Sequence, residues 1–343
     1  MKKFCIGIKK TTIVILFSAA FLMSSCGDSG NEPIRKSEFL LDTLCSVTVF
    51  SKEDEKFAEG ALDLCARYDA LFARSSRDGD VSKINEAGGR ETTVTDDTAA
   101  LLETALRYGA LSDGAFDITI GRISSLWDFS SDLEARDLPS ASDIEAALPS
   151  VNYRNVELLG NRVRLKDPAT RLDLGGIAKG FIADKMASYL AENGVSEALI
   201  DLGGNIVTVG EKSDGGSWRV GVKNPLFAVS EDSTSSLIGV IEVEGTKSVG
   251  TSGVYERSFV RDGTRYHHIL DPKTGFPART DLVGVTVVTE RSVDGEGIST
   301  MCVIFGSARA QEYLEQNGIP AVLVKEDGTV ITTGGIDCAM TEE

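Results

Sequence analysis

Apolar and polar positions divide this chain into short alternating runs and longer runs of helical period. The stretch FLLDTLCSVTVFS, Phe39–Ser51, alternates and is rich in β-branched residues, which predicts a strand. Glu53–Ala73 repeats apolar residues at Phe57, Ala61, Leu64, Tyr68 and Phe72, a helical spacing. The polar stretch SSRDGDVSKINEAGG reads as turns. Thr95 is placed to cap a helix that ends near Leu111. Gly114 and Gly121 break the segment that follows, and a short helix is expected over Ser142–Ala147.

Two strand-like runs, Asn155–Leu158 and Arg162–Leu165, predict a hairpin. The loop RLDLGGIAKG leads into a helix from Ile177 to about Glu192, closed by Asn193-Gly194. Further strands are predicted in ALIDLGGNIVTVG, SWRVGVKNP, Ser236–Val243, Ser248–Thr251, Ser258–Arg261 and Val283–Thr289. Helices are expected over Asp294–Phe305 and Ala308–Asn317, and closing strands over Ala321–Lys325 and Thr329–Thr332. No regular strand–helix–strand rhythm appears, so the pattern favours an α+β fold over a doubly wound sheet. The repeated DLGG at Asp173 and Asp201 is too short to establish a duplication.

The first residues belong to a different class. Lys2, Lys3, Lys9 and Lys10 precede an apolar run from Ile13 to Met23, the order of a secretory signal and too short for a comfortable membrane span. Ser24-Ser25-Cys26 resembles a bacterial lipobox, which makes Cys26 the expected lipidation site. The alternative is an ordinary secretory signal with a chance cysteine. The expected organisation is a signal at 1–25, a flexible tether at 26–37 and one large catalytic domain at 38–340. That places the protein outside the cytoplasm, anchored to a bacterial membrane through lipid.

The formal charge of −17 argues against a nucleic-acid partner. It also means that a bound polyphosphate needs a metal ion or a local nest of N–H groups. Cys45, Cys65, Cys302 and Cys338 lack the spacing of a zinc or CxxC site. Cys65 and Cys302 fall in apolar helical patterns and are expected as buried thiols.

Four stretches could carry chemistry. DLGGIAKG, Asp173–Gly180, puts two glycines before a helix start, a place where phosphate can approach the backbone; a tight turn is the equal alternative. EGISTM places Glu296 and Thr300 on one helix face, hard oxygen donors suited to Mg²⁺, although a solvated polar face is the commoner reason for such a pair. Asp294 is a helix cap or a reserve ligand. VGTSGVYERSF would allow a flat ligand near its small residues, with Tyr255 available for stacking. TRYHHILDPKTG holds both histidines of the chain, His267 and His268, beside an Asp-Pro turn, which suits a general base.

The order of these motifs resembles the FAD:protein FMN transferases, the ApbE-like flavin transferases. The resemblance runs from about Phe39 to Thr333. It is carried by LLDTLCSVTVF, GAFDITIGRISSLWDF, LDLGGIAKGFIAD, LIDLGGNIVTVG, GTSGVYERSF, YHHILDPKTGFPA and GISTMCVIFG. It implies a single domain of mixed, mainly antiparallel sheets with packed helices. The implied reaction moves FMN from FAD to a threonine or serine hydroxyl of an acceptor protein and releases AMP. His268 matches the proton-accepting histidine, with His267 in support. Leu41, Ala115, Phe116, Asp117, Asp173, Lys179 and Leu270 match FAD-contacting positions. Gly176, through its carbonyl, and Thr300 match Mg²⁺ ligands; Glu296 stands where the family pattern has an aspartate. FAD hydrolysis to FMN and AMP, or flavin binding without turnover, are the alternatives. An unperturbed His268 would titrate near about 6.5, so the rate would fall below that pH.

Overall fold

The computed structural model describes residues 32–129, 137–227 and 236–340. The expected signal and Cys26 lie outside the described residues. The first half contains β1 (Ile34–Leu40), β2 (Thr43–Val49), α1 (Glu55–Phe72), α2 (Asp80–Glu86), β3 (Thr92–Thr93), α3 (Asp96–Leu111), α4 (Gly121–Trp127) and α5 (Ala141–Ala147). Next come β4 (Val156–Leu159), β5 (Arg162–Leu165), α6 (Ala178–Glu192), β6 (Ala198–Leu202), β7 (Asn205–Val209), β8 (Trp218–Lys223) and β9 (Leu237–Val243). The rest is β10 (Ser248–Gly253), β11 (Ser258–Arg261), β12 (Thr264–His267), β13 (Leu282–Thr289), α7 (Ser292–Phe305), α8 (Ser307–Gln316), β14 (Ala321–Lys325), β15 (Val330–Thr333) and β16 (Cys338–Met340).

An eight-stranded antiparallel sheet, ordered β1-β2-β6-β7-β10-β13-β14-β15, forms the frame. Helices α1, α6 and α7 pack on one face, and a small sheet β16-β9-β8 covers part of the other. β14 shows how a strand serves two cores. Ala321 and Leu323 belong to the helix-side cluster, while Val322 and Val324 meet Trp218, Val220 and Ile241 on the far side. Successive side chains of a strand face opposite ways, so a strand covered on both faces reads as a continuous apolar run. The fold is α+β, as the irregular element order implies. Cys45, Cys65 and Cys302 are buried free thiols. Among the described residues no helix is long and apolar enough to cross a membrane.

Several boundaries differ from the sequence reading. β1 begins at Ile34, so residues 34–37 are part of the main sheet and not of a tether. The single strand expected over Phe39–Ser51 is instead the end of one hairpin arm and the whole of the other. Leu41 and Asp42 make the turn with positive φ values of 55° and 57°. That sign pattern matches the twist of paired strands, but it costs a non-glycine residue about 1–3 kcal/mol. The polar stretch before Thr95 contains α2, which buries Val81 and Ile84. The two DLGG segments also part company: Gly175-Gly176 precedes α6, while Gly203-Gly204 turns the β6–β7 hairpin.

Candidate active site

The glycine loop before α6 is shaped by Asp173. Its Oδ1 accepts the Gly175 N–H at 2.9 Å, and its Oδ2 accepts the Ser124 hydroxyl at 2.6 Å with Arg74 Nε at 3.4 Å. Gly176 leaves room beside two other elements. A Cβ there would lie 3.3 Å from Phe116 Cε2 and 3.9 Å from Thr300 Cγ2. Phe116 is fixed by its N–H on Ser112 Oγ at 2.9 Å and by an edge-on contact with Tyr108. Asp117 uses both oxygens to hold its own loop. Oδ1 accepts the Thr119 N–H and hydroxyl at 2.8 and 2.6 Å, and Oδ2 accepts the Tyr153 N–H at 2.7 Å. Burial pushes its carboxyl up, and these hydrogen bonds oppose the shift.

Helices α6 and α7 cap each other. Asp184 of α6 accepts the Ser292 and Val293 N–H groups at the start of α7, at 2.6 and 3.1 Å. Glu296 of α7 accepts the Gly180 N–H in the first turn of α6 at 2.6 Å through Oε2, and Lys179 pairs with its Oε1. Both arrangements satisfy otherwise unpartnered N–H groups and set a carboxylate against a helix N-terminus. Gly180 makes the close approach possible, since a Cβ there would meet Val293 Cα at 2.7 Å. Burial nevertheless pushes the Asp184 carboxyl up to about 6. Asp294 is not the N-cap of α7, which is Arg291. It faces α3, accepting Arg107 at 2.6 Å and the Tyr108 hydroxyl at 2.7 Å.

The histidines follow from the hairpin β11–β12, which is docked by aromatic stacking. Trp127 stacks on Tyr266, and Tyr266 on Phe259, with ring centroids 5.5 and 5.4 Å apart. The Asp-Pro-Lys-Thr-Gly turn is closed by Gly275 N–H to Asp271 O at 2.8 Å. Trp127 Nε1 then donates to Gly275 O at 2.8 Å. Leu270 bridges to Pro277 and packs into the small core of Ile123, Trp127 and Ile144. His267 turns inward, its Nε2 3.0 Å from the Ala278 carbonyl, and burial pushes it down to about 4. His268 follows outside the strand, its N–H donating to Arg257 O at 3.1 Å. Burial first, and then the cations Lys179 and Arg257, push its imidazole down to about 3. Its Nδ1 is buried and has no hydrogen-bond partner. The imidazole is thus perturbed, and the value of about 6.5 that an unperturbed one would have does not carry over.

Arg257 carries no expectation from the sequence, yet it links two parts of the site. Its guanidinium donates to Leu41 O at 3.1 Å, while Leu41 N–H donates to Asp69 Oδ2, also at 3.1 Å. The strained turn after β1 thus positions a cation beside His268. Tyr255, read as a free stacking platform, lies over Gly253, where a Cβ would come within 2.9 Å of Tyr255 Cδ1. Gly253 is thus what lets the Tyr255 ring lie against β10.

Gly176, Glu296 and Thr300 offer hard oxygen donors to a cation. Glu296 and Thr300 share a face of α7, and Gly176 adjoins Thr300. No group of three or more His, Cys, Asp or Glu forms a cage among the described residues. Mg²⁺ does not need one, because it keeps several waters and shares phosphate oxygens. Each Glu296 oxygen has one protein partner and retains acceptor capacity. The donors fit such an ion.

The chain is similar to known proteins in sequence and in fold. The ApbE family profile matches residues 41–323. The chain belongs to the ApbE family. An FAD:protein FMN transferase of Klebsiella pneumoniae (strain 342) is 36% identical over 88% of this chain and 92% of its own length. One of Treponema pallidum (strain Nichols) is 32% identical over 98% and 96%. The crystal structure of the ApbE protein of Thermotoga maritima superposes with a TM-score of 0.79 at 32% identity, covering 88% of this chain and 97% of that one. Within this ApbE fold the predicted positions fall into two groups. Gly176 adjoins both Phe116 and Thr300, while Lys179 pairs with Glu296 and its charge reaches the neutral His268. Leu41 joins through Arg257. Ala115 and Asp117 flank Phe116, Asp173 shapes the loop, and Leu270 fixes the histidine turn.

Proposed function

We propose that this chain transfers FMN from FAD to a threonine or serine hydroxyl of an acceptor protein and releases AMP. The observation that carries the reading is that Lys179, which follows the Gly175-Gly176 loop, and Arg257 both act by their charge on His268, in a chain of the ApbE family. The relatives named above support the same activity. Burial and the neighbouring cations favour the neutral imidazole of His268, the form that accepts a proton. The acceptor oxygen attacks the phosphorus of the FMN half, and its proton passes to the imidazole. A new P–O bond forms, the P–O bond to AMP breaks, and AMP leaves. A base of lowered pKa is also a weaker one, so the gain stays below the roughly 10²–10⁴-fold of a base matched to the working pH.

Lys179 and Arg257 supply positive charge for the pyrophosphate, and the loop N–H groups ahead of α6 supply donors. Gly176, Glu296 and Thr300 would hold Mg²⁺, which when bound supplies charge neutralisation at the pyrophosphate. The Lys-rich leader and Ser24-Ser25-Cys26 support an extracytoplasmic, lipid-anchored location, with the acceptor on the same side of the membrane.

The test is incubation with FAD, Mg²⁺ and an acceptor carrying a target threonine, read by mass. AMP released in step with acceptor gaining one FMN supports transfer. AMP and free FMN with unmodified acceptor means water is the nucleophile. FAD bound but intact refutes turnover.

A further inference from the structure

Lys179 holds an oxygen that a metal ion at this site would use. We propose that Lys179 and a divalent cation compete for Glu296, so that entry of the cation displaces the ammonium toward the anionic ligand. Only the identity of that ligand, a pyrophosphate, rests on the function proposed above; the competition itself does not.

The geometry points to exchange and not to coexistence. Oε2 of Glu296 is tied to the Gly180 N–H, and Gly180 is locked against the start of α7. The carboxylate therefore has little freedom to turn, and Oε1, the oxygen paired with Lys179, is the one left for another cation. The Glu296 side chain is only 8% exposed, so water screens the pair weakly. Two cations a few ångströms apart on one buried carboxylate repel each other. Lys179 is the mobile partner: its side chain is 30% exposed and ends on a flexible stem. Its charge is also felt at His268 and Glu256, so a displaced ammonium remains within the site. The glutamate itself fits this role, because an aspartate, one methylene shorter, would reach α6 less well.

Mn²⁺ is the probe, titrated into protein free of FAD and followed by the electron paramagnetic resonance of the unbound ion. Lys179→Met should bind Mn²⁺ at least about tenfold more tightly than the parent, the factor for about 1.4 kcal/mol. Lys179→Arg should bind like the parent, and Glu296→Gln should lose binding. Equal or weaker binding by Lys179→Met overturns the proposal; a merely structural lysine would not give tighter binding. Should that variant fail to fold, the parent decides. Acylation of the Lys179 amine, read by peptide mass, should rise on adding Mg²⁺ and fall back with EDTA. Labelling that does not rise overturns the proposal. FMN transfer failing while competition is seen overturns the proposed function alone, and transfer without competition overturns this inference alone.

Discussion

The histidine environment predicts an unusual response to acid. In water an imidazole of pKa about 6.5 is about one-quarter neutral at pH 6 and about 3% neutral at pH 5. A general base with that value would lose about fourfold and about thirtyfold of its rate at those two pH values. Burial and the two neighbouring cations hold His268 near 3 in the folded protein. The sign is clear: lowering the pKa keeps the base neutral, so the rate survives acidification until pH approaches the lowered value. kcat/KM for FAD should be flat from pH 8 to about 5, apart from losses that the acceptor or folding brings. The quantity to measure is kcat/KM, because it reports the free enzyme, before the pyrophosphate adds negative charge near the ring. The chain has only two histidines, so the direct assay is simple. With ¹³C-labelled histidine, two imidazole signals can be followed against pH and assigned with His267→Gln. Neither should move between pH 8 and pH 5.5. A midpoint near 6.5 for the His268 signal would refute the claim that desolvation and the Lys179 and Arg257 charges govern this site.

Three further outcomes are expected. Gly180→Ala should destabilise the fold by at least about 3 kcal/mol, at the upper end for overpacking, because its Cβ meets α7 backbone and not a movable side chain; the urea midpoint checks this, and an unchanged midpoint refutes the close packing. Asp117→Ala frees three hydrogen-bond donors and should cost about 2–4 kcal/mol. If stability holds while FAD affinity falls, Asp117 acts on the ligand directly instead of through its loop. Cys26→Ser should release the protein from membranes, as read by fractionation and by the mass of the N-terminal peptide; a membrane-bound variant would rule out anchoring at Cys26.

Much of the fold was legible because periodicity reports burial. α3 begins after Thr95, whose hydroxyl accepts the Thr98 N–H at 3.2 Å, and the hairpin β4–β5 follows its alternation. The misses have local causes. The turn at Leu41-Asp42 lacks the glycine or asparagine that ordinarily marks positive φ, so one long strand was the natural reading. α2 has few apolar positions and sits among turn formers, so its sequence resembles a loop. For the histidines, the sequence could place a pair but could not orient it. Neighbouring residues at the end of a strand face opposite ways, and only the structure tells that His267 is the inward one. Lys179 and Glu296 are 117 positions apart, so their pairing depends on tertiary packing.

Glu296 is the departure from the family pattern, since the resemblance expects an aspartate there. The longer side chain has a use that the sequence does not display. It reaches from α7 to the first turn of α6 and satisfies a helix N–H and an ammonium together. Asp184 makes the return link to the start of α7. With Gly180 allowing the helices to touch, the two links fix the loop that carries Gly175 and Gly176. The histidine turn is supported separately, by Trp127 and the aromatic stack beneath β12. The site therefore lies where two independently braced parts meet, and the groups between them, Lys179 and Arg257, are long flexible cations. Rigid carboxylates and backbone on one side, a fixed imidazole on the other and movable positive charge between them is an arrangement suited to receiving a polyanion without rearranging the fold.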